Sequence, residues 1–247
     1  MIVRTPAIVF RTIEYQESTY IVTVFTRELG KIAVMAKGAR KPKSPYAGLF
    51  EIGTQLDMIL YNKTTRGIQP LKEASYLHRN FSIRTDVFKM VTVQRIIEMV
   101  NQMLHDQEVN EEKWDFISTL LNWLDGQEQP SQNLFPYVQL RLAEIQGIGI
   151  SLDQVQEIAL ENGTLLGIDI ESGMITDRAN AARFYPLSTA AIHFLIQGIS
   201  SRNSQLLALA LTKDERIQLV QTLDQYLSYH IDSVRARKTD QIYKDFL

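Results

Sequence analysis

Residues Tyr20–Ala36 read YIVTVFTRELGKIAVMA. Two runs rich in β-branched and aromatic side chains flank the break Glu28-Leu29-Gly30, which is the pattern of a β-hairpin. Upstream, Ile2–Phe10 reads as a strand. Pro6 places it at an edge or a bulge, because proline has no N–H to give to a ladder. Downstream, Phe50–Tyr61 reads as a fourth strand with Gly53 as a bulge. Asn62–Gly67 is a polar turn, and Ile68–Leu77 a fifth strand. Five short strands in so little chain predict a small closed barrel. The five-stranded barrel most associated with nucleic acids is the OB-fold.

After Asn80 the period becomes helical. Met90, Val91, Ile96, Ile97, Val100 and Leu104 recur at spacings of three and four, as do Trp114, Ile117, Leu120, Leu121 and Leu124 up to Gly126. A third stripe runs through Phe135, Val138, Leu142 and Ile145 to Gly147. Residues 151–186 are irregular and contain Gly163, Gly167, Gly173 and Pro186. Helices return at about 188–197, 203–210 and 214–233. The fold class is therefore α+β: an OB-fold domain over 1–80, a linker near 78–84, and a helical domain over 81–247 with an insertion at about 150–186.

The net charge of -2 hides a division. Residues 1–80 hold 12 Lys+Arg against 6 Asp+Glu, while the remainder holds 14 against 22. A basic domain attracts polyanions and an acidic one does not, so the two parts point to different partners. The basic charge is densest in Lys37-Gly38-Ala39-Arg40-Lys41-Pro42-Lys43-Ser44, where Gly38 and Pro42 mark a loop. A flexible basic loop projecting from a sheet can follow a phosphate backbone, with strongly salt-dependent affinity. The other reading is a solvated hairpin tip.

Enzyme and metal signatures are weak. Lys43-Ser44 resembles the end of a phosphate-binding loop, but Lys37 and Pro42 stand where its glycines are required. His78, His105, His193 and His230 have no ligand spacing. Glu111/Glu112 and Asp214/Glu215 sit at helix starts, where they meet the helix dipole. Nothing assembles a nucleophile, a base and an electrophilic site, so a non-enzyme is expected. No run approaches the ~18 apolar residues of a membrane span. The N-terminus lacks the basic segment and apolar run of a signal peptide, which makes a cytoplasmic protein the expectation.

The stretch Tyr20–Gly48, YIVTVFTRELGKIAVMAKGARKPKSPYAG, resembles the N-terminal region of the RecO family of bacterial DNA repair proteins. That family's pattern is a strand ending in T-R-E-x-G-K, a second strand, then A-K-G-A-R-K-x-K-S. Weaker likenesses follow at Leu71-Lys72-Glu73-Ala74, at Phe135–Gly147 and at Tyr226–Ile231. The resemblance implies an OB-fold followed by a helical domain with a zinc-finger-like insertion. It also implies a recombination mediator without catalytic activity, located at the nucleoid. Such a mediator binds single- and double-stranded DNA and anneals complementary strands. It contacts the C-terminal tail of the single-stranded-DNA-binding protein and, with RecR, helps load RecA onto gapped DNA.

One departure is plain. Many family members carry two C-x-x-C pairs in the insertion, whereas Leu152–Arg178 here has neither cysteine nor histidine. Zinc then lacks its usual ligands. The expectation is a cofactor-free remnant held by Val155, Ile158, Leu165, Ile168 and Ile175.

The candidate DNA-binding residues are Arg27, Lys31, Lys37, Arg40, Lys41 and Lys43. Among them Lys31, Lys37, Arg40, Lys41 and Lys43 fall on the family's motif. Arg66 and Arg79 are secondary candidates, with surface solubility as the other reading. Phe25, Tyr46 and Tyr61 are aromatics that stack on bases or, for Phe25 and Tyr61 above all, fill the barrel. No base-reading constellation is visible, so little sequence preference is expected. In the acidic domain, Arg141, Arg178, Arg183 and Arg202 are candidate walls for a notch that takes an acidic tail. An RNA-binding OB protein with a helical interaction domain is the alternative, since it would show the same charge division.

Overall fold

The computed structural model describes residues 1–63, 65–152, 164–200 and 204–244. Among the described residues the chain divides into two compact units, Met1–Glu128 with 237–244, and Gln129–Ala236.

The first unit is built on a closed barrel of β1 (Ile2–Tyr15), β2 (Thr19–Thr26), β3 (Gly30–Ala36), β4 (Gln55–Tyr61) and β5 (Ile68–His78). Around the barrel the order is β1-β2-β3-β5-β4. Only β3 and β5 run parallel, the arrangement of an OB-fold. Its interior holds Ala7, Val9, Val22, Val24, Val34, Ala36, Leu56, Met58 and Leu60, all fully buried. These are alternate residues of their strands, as the two-residue period requires.

Alternation fails at Ala7-Ile8-Val9-Phe10, where four successive residues are buried. The reason is a second covering layer. Helices α1 (Phe81–Thr85), α2 (Val87–Gln102) and α3 (Glu111–Asp125) belong to the same unit. Trp114 Nε1 of α3 donates to the Phe25 carbonyl oxygen at 3.1 Å. Gln55 is gripped from α3 by Asn122 at 2.7 Å and Ser118 at 2.7 Å. The barrel thus has a wet face and a face roofed by helices.

Several expectations shift accordingly. β1 is five residues longer than its apolar run and is paired on both sides, so Pro6 marks no edge. Pro6 sits at the limit of the β1–β2 ladder, where its carbonyl accepts from Arg27 N at 3.1 Å. The bulge falls at Phe10 instead. β4 begins at Gln55, because Gly53 adopts φ 80° in a turn that its N–H fastens to the Val9 carbonyl at 2.8 Å. A Cβ there would lie 2.4 Å from Val93 Cγ1. The expected linker near 78–84 is packed: Asn80 is buried and its Nδ2 donates to the Gly53 carbonyl at 3.2 Å. The strand-to-helix change at residue 80 is therefore not a break in packing.

The second unit holds α4 (Leu134–Ile145), a small sheet, α5 (Thr189–Ser200) and α6 (Lys213–His230). The sheet consists of β6 (Ser151–Leu152), β7 (Leu166–Asp169), β8 (Met174–Asp177) and β9 (Phe184–Pro186), in the order β6-β8-β7-β9. Phe135, Val138 and Leu142 of α4 are buried, as are Phe194 of α5 and Leu219, Leu223 and Leu227 of α6. A capping box of Thr212 and Glu215 starts α6, the role expected of its early acids. The segment expected as a helix at 203–210 is a 3-10 turn over Ser204–Ala208. In the insertion, Ile168 and Ile175 are fully buried, but Leu165 is 59% exposed and is no part of the core. Val155 and Ile158 lie outside the described residues.

A final helix, α7 (Thr239–Lys244), rejoins the first unit. The Glu98 carboxylate of α2 accepts from Lys238 N at 2.9 Å, Thr239 N at 3.1 Å and Thr239 Oγ1 at 2.8 Å. That carboxylate caps α7 from another element.

Candidate nucleic-acid interface

The segment from Lys37 to Thr54 bridges β3 and β4. It is not a free loop but a chain of tight turns. Lys41 N donates to the Gly38 carbonyl, Ser44 N to Lys41, Ala47 N to Ser44 and Leu49 N to Tyr46, at 2.9–3.3 Å. Ala39, Leu49 and Phe50 are buried in the barrel core and pin it. The expected flexible arm is thus a fixed ledge, because Ala39 among the cations and Leu49 and Phe50 beyond them anchor it.

The predicted cations separate into three groups. Lys37, Lys41 and Lys43 stand exposed on the ledge. Among the described residues no side-chain hydrogen bond or ion pair engages them. Arg40, from the middle of the same run, turns inward. Its guanidinium donates to the Gln16 carbonyl at 2.8 Å, pairs with Glu14 at 2.7 Å and lies 6.0 Å from the Tyr20 ring centre. That fastens the ledge to the β1–β2 hairpin.

Arg27 and Lys31 belong to the roofed face. Arg27 pairs with Glu111 at 2.7 Å and Asp115 at 2.9 Å on α3. The hydrogen bond from Arg27 holds the Asp115 carboxyl below the usual carboxylate range. Lys31 is 13% exposed and donates to the Leu104 carbonyl at 2.5 Å and the Asn101 carbonyl at 3.2 Å. Lys31 is thus largely enclosed, whereas Arg27, 35% exposed, is engaged in a surface ion pair with α3.

Arg66 is exposed in the β4–β5 turn. Arg79, also exposed, follows β5 with its guanidinium 5.7 Å from the Tyr76 ring. Among the aromatics, Phe25 is fully buried, while Tyr61 is 43% exposed and so does not fill the barrel. Tyr46 packs against Phe50, ring centres 5.9 Å apart, and its hydroxyl reaches the Lys72 carbonyl at 3.4 Å.

Sequence reasoning missed Tyr76 and Arg84. Tyr76 Oη donates to the Gly48 carbonyl at 3.0 Å. Arg84 of α1 donates to Tyr76 Oη at 3.0 Å, Glu51 Oε2 at 2.5 Å and the Gly48 carbonyl, and lies 5.6 Å from the Tyr76 ring. Together they bind the far end of the ledge to β5. Tyr76 shares the inward face of β5 with Ala74, and that two-residue period was the available signal. Arg84 gave none, because its partners are distant in sequence.

Between ledge and strand runs a groove of about 460 Å³, walled by Pro45, Ala47 and Leu49 on one side and Ala74–Leu77 with Arg79 on the other.

The family comparison bears on both units. Residues 1–79 match the family model described as recombination protein O, N terminal, and residues 84–240 match recombination protein O, C terminal. The chain belongs to the recombination protein O family. Similar proteins named DNA repair protein RecO occur in Salinibacter ruber, 35% identical over 66% of this chain and 64% of the relative. Another occurs in Chlorobium limicola, 36% identical over 62% of this chain and 59% of the relative. These two alignments span about three-fifths of each relative. The protein of that name from Chloroherpeton thalassium is 26% identical across the full length of both chains.

The insertion of this RecO-family chain contains neither cysteine nor histidine. The sequence has no cysteine. Among the described residues no group of three or more His, Cys, Asp or Glu could hold a metal ion. A carboxylate organises the sheet instead: Asp169 accepts from Ser172 Oγ at 2.7 Å and from Arg183 N at 2.7 Å. Burial alone would raise its pKa, but these hydrogen bonds outweigh burial and hold it below the ordinary value.

The predicted arginines of this unit differ in exposure. Arg141 is buried and paired with Glu144, whereas Arg178 and Arg183 are exposed. Arg183 lies 5.3 Å from the Tyr229 ring. Arg202 lies outside the described residues. Among those residues, no helix is long and apolar enough to cross a membrane.

Proposed function

We propose that this protein is a DNA repair and recombination mediator that binds single- and double-stranded DNA through the ledge of its OB-fold and acts in the cytoplasm at the nucleoid. The observation that carries the reading is the trio Lys37, Lys41 and Lys43: three exposed ammonium groups, unengaged among the described residues, held on a fixed turn of a closed barrel. Cations without internal partners are those that can exchange counterions for phosphates. Neutralising the backbone while leaving bases free is what annealing complementary strands requires. In this reading the partners are RecR, the RecA filament and the acidic tail of the single-stranded-DNA-binding protein, which exposed Arg178 and Arg183 suit. No metal or nucleotide cofactor and no catalytic step enters this reading.

The test is fluorescence anisotropy of a labelled single strand over a salt series, with the triple variant Lys37→Ala, Lys41→Ala, Lys43→Ala beside the intact chain. Loss of three phosphate contacts lowers the log–log salt slope by about 2 and weakens binding. Equal slopes would remove the ledge from the site. Annealing of complementary oligonucleotides should fall in parallel.

A further inference from the structure

The same reading can be carried to the bases. Beyond Pro70, β5 has no β3 partner, because the β3–β5 pairing covers only Ile68–Pro70. From there the barrel wall is completed by the ledge rather than by a strand, and the groove is the seam between them. Its walls are apolar and small on the ledge side, at Pro45, Ala47 and Leu49. Tyr76 and the exposed Leu77 lie on the strand side, and no carboxylate lines it. Arg84 is immobilised against Tyr76 by Glu51 and Gly48. Arg79, at the groove's end, is exposed, and the Tyr76 ring is its one described side-chain contact. A guanidinium resting on an aromatic ring can give way to a base and turn to the adjoining phosphate. Exposed Lys43 stands two residues ahead of Pro45 in the sequence.

We infer that the groove between the ledge and β5 is a base-binding slot for single-stranded nucleic acid, with Tyr76 as stacking platform and Arg79 as phosphate contact; this rests on the proposed nucleic-acid reading. The rim cations favour a polyanion as occupant, and the apolar walls with a π-face favour a base over a bare phosphate. In a duplex the bases are stacked and unavailable. The slot therefore separates single from double strands, which the ledge lysines alone cannot do.

The probes are a labelled oligothymidylate, an abasic oligonucleotide of the same length and a duplex. Ala47 is exposed, so Ala47→Trp fills the slot without entering the core; Ser75→Trp fills it from the opposite wall. Each should weaken oligothymidylate binding roughly tenfold, the loss of about one stacked base. The salt slope, the abasic strand and the duplex should be unaffected. Arg79→Ala should lower the slope by about 0.7 on the single strand. If both tryptophan variants bind oligothymidylate as the intact chain does, or lose all three probes equally, the slot is refuted while the ledge reading stands. If the intact chain binds no probe, both readings fall.

Discussion

Lys31 Nζ donates to the Asn101 carbonyl oxygen in the last turn of α2 at 3.2 Å and to the Leu104 carbonyl just past it at 2.5 Å, so a lysine of the candidate DNA-binding set closes the C-terminal end of α2. The last carbonyls of a helix lack intrahelical partners, and an ammonium there also meets the negative end of the helix dipole. Lys31→Ala should therefore cost about 1.5–3 kcal/mol of stability, the worth of a hydrogen bond to a charged group. The salt slope of DNA binding should stay at the intact value. Urea unfolding monitored by tryptophan fluorescence, beside the anisotropy series, checks both. A fall in slope without a fall in stability would return Lys31 to the interface.

Gly30, the residue before it, packs against Gln107 and Glu108 in the segment that follows α2. It adopts φ 68°, and a Cβ would lie 2.2 Å from the Glu108 carbonyl oxygen. Two costs then add in Gly30→Ala: left-handed backbone, at about 1 kcal/mol, and displacement of backbone that cannot give way. The expected loss is about 2–4 kcal/mol, read as a lowered urea midpoint. Gly126→Ala, at a helix end with φ -78° and no Cβ neighbour nearer than 3.5 Å, is the control and should change little.

These two residues show what the sequence could and could not disclose. The hairpin, the five strands and the barrel were legible in Tyr20–Ala36 and its neighbours, because alternation reports burial on one face. The run Ala7–Phe10 broke alternation, and only the helical roof explains it. Charge was less legible still. Arg27, Lys31 and Arg40 look like Lys37, Lys41 and Lys43 in sequence, yet each has an internal acceptor supplied by residues 24–88 positions away. A motif spanning T-R-E-x-G-K therefore mixes fold and function. Gly30 and Lys31 seat the loop and helix above them, while the outward cations come from the segment that follows. Tyr76 and Arg84 escaped notice for the same reason, since Gly48 brings them together.

Lys113 of α3 presents the opposite case, a cation enclosed without an adequate partner. Its side chain is fully buried, Glu108 is 3.7 Å from Nζ, and Nζ makes no hydrogen bond among the described residues. Burial pushes its pKa below the ordinary lysine value, against the weaker pull of Glu108. A depressed lysine pKa means the unfolded chain holds the proton more tightly, so stability rises with pH between the folded pKa and 10.5. Lys113→Met keeps the volume and removes the buried charge, so it should stabilise by about 1–2 kcal/mol at pH 7. That advantage should shrink as pH approaches 10.5, which paired urea titrations at pH 7, 8.5 and 10 can follow. A constant difference would show that the charge state of Lys113 does not matter to stability.

The small sheet of the second unit should hold together without zinc. Ile168 and Ile175 form its buried centre, and the Asp169 carboxylate ties the β7–β8 turn to the strand that begins at Phe184. Incubation with a chelator should leave the thermal melt unchanged, and added zinc should not raise the midpoint, because a structural metal would stabilise by mass action. Asp169→Asn keeps the shape but replaces charge-assisted hydrogen bonds by neutral ones, at a cost of about 1 kcal/mol or more. The sign in acid follows from the carboxyl's lowered pKa. Its contribution is present above the ordinary carboxylate value of 3.8 and is lost as pH falls through the depressed folded value. Intact and Asp169→Asn chains should therefore converge in stability as the solution is taken below pH 3.8. A chelator-sensitive melt would mean that another donor set, outside the described residues, completes a metal site after all.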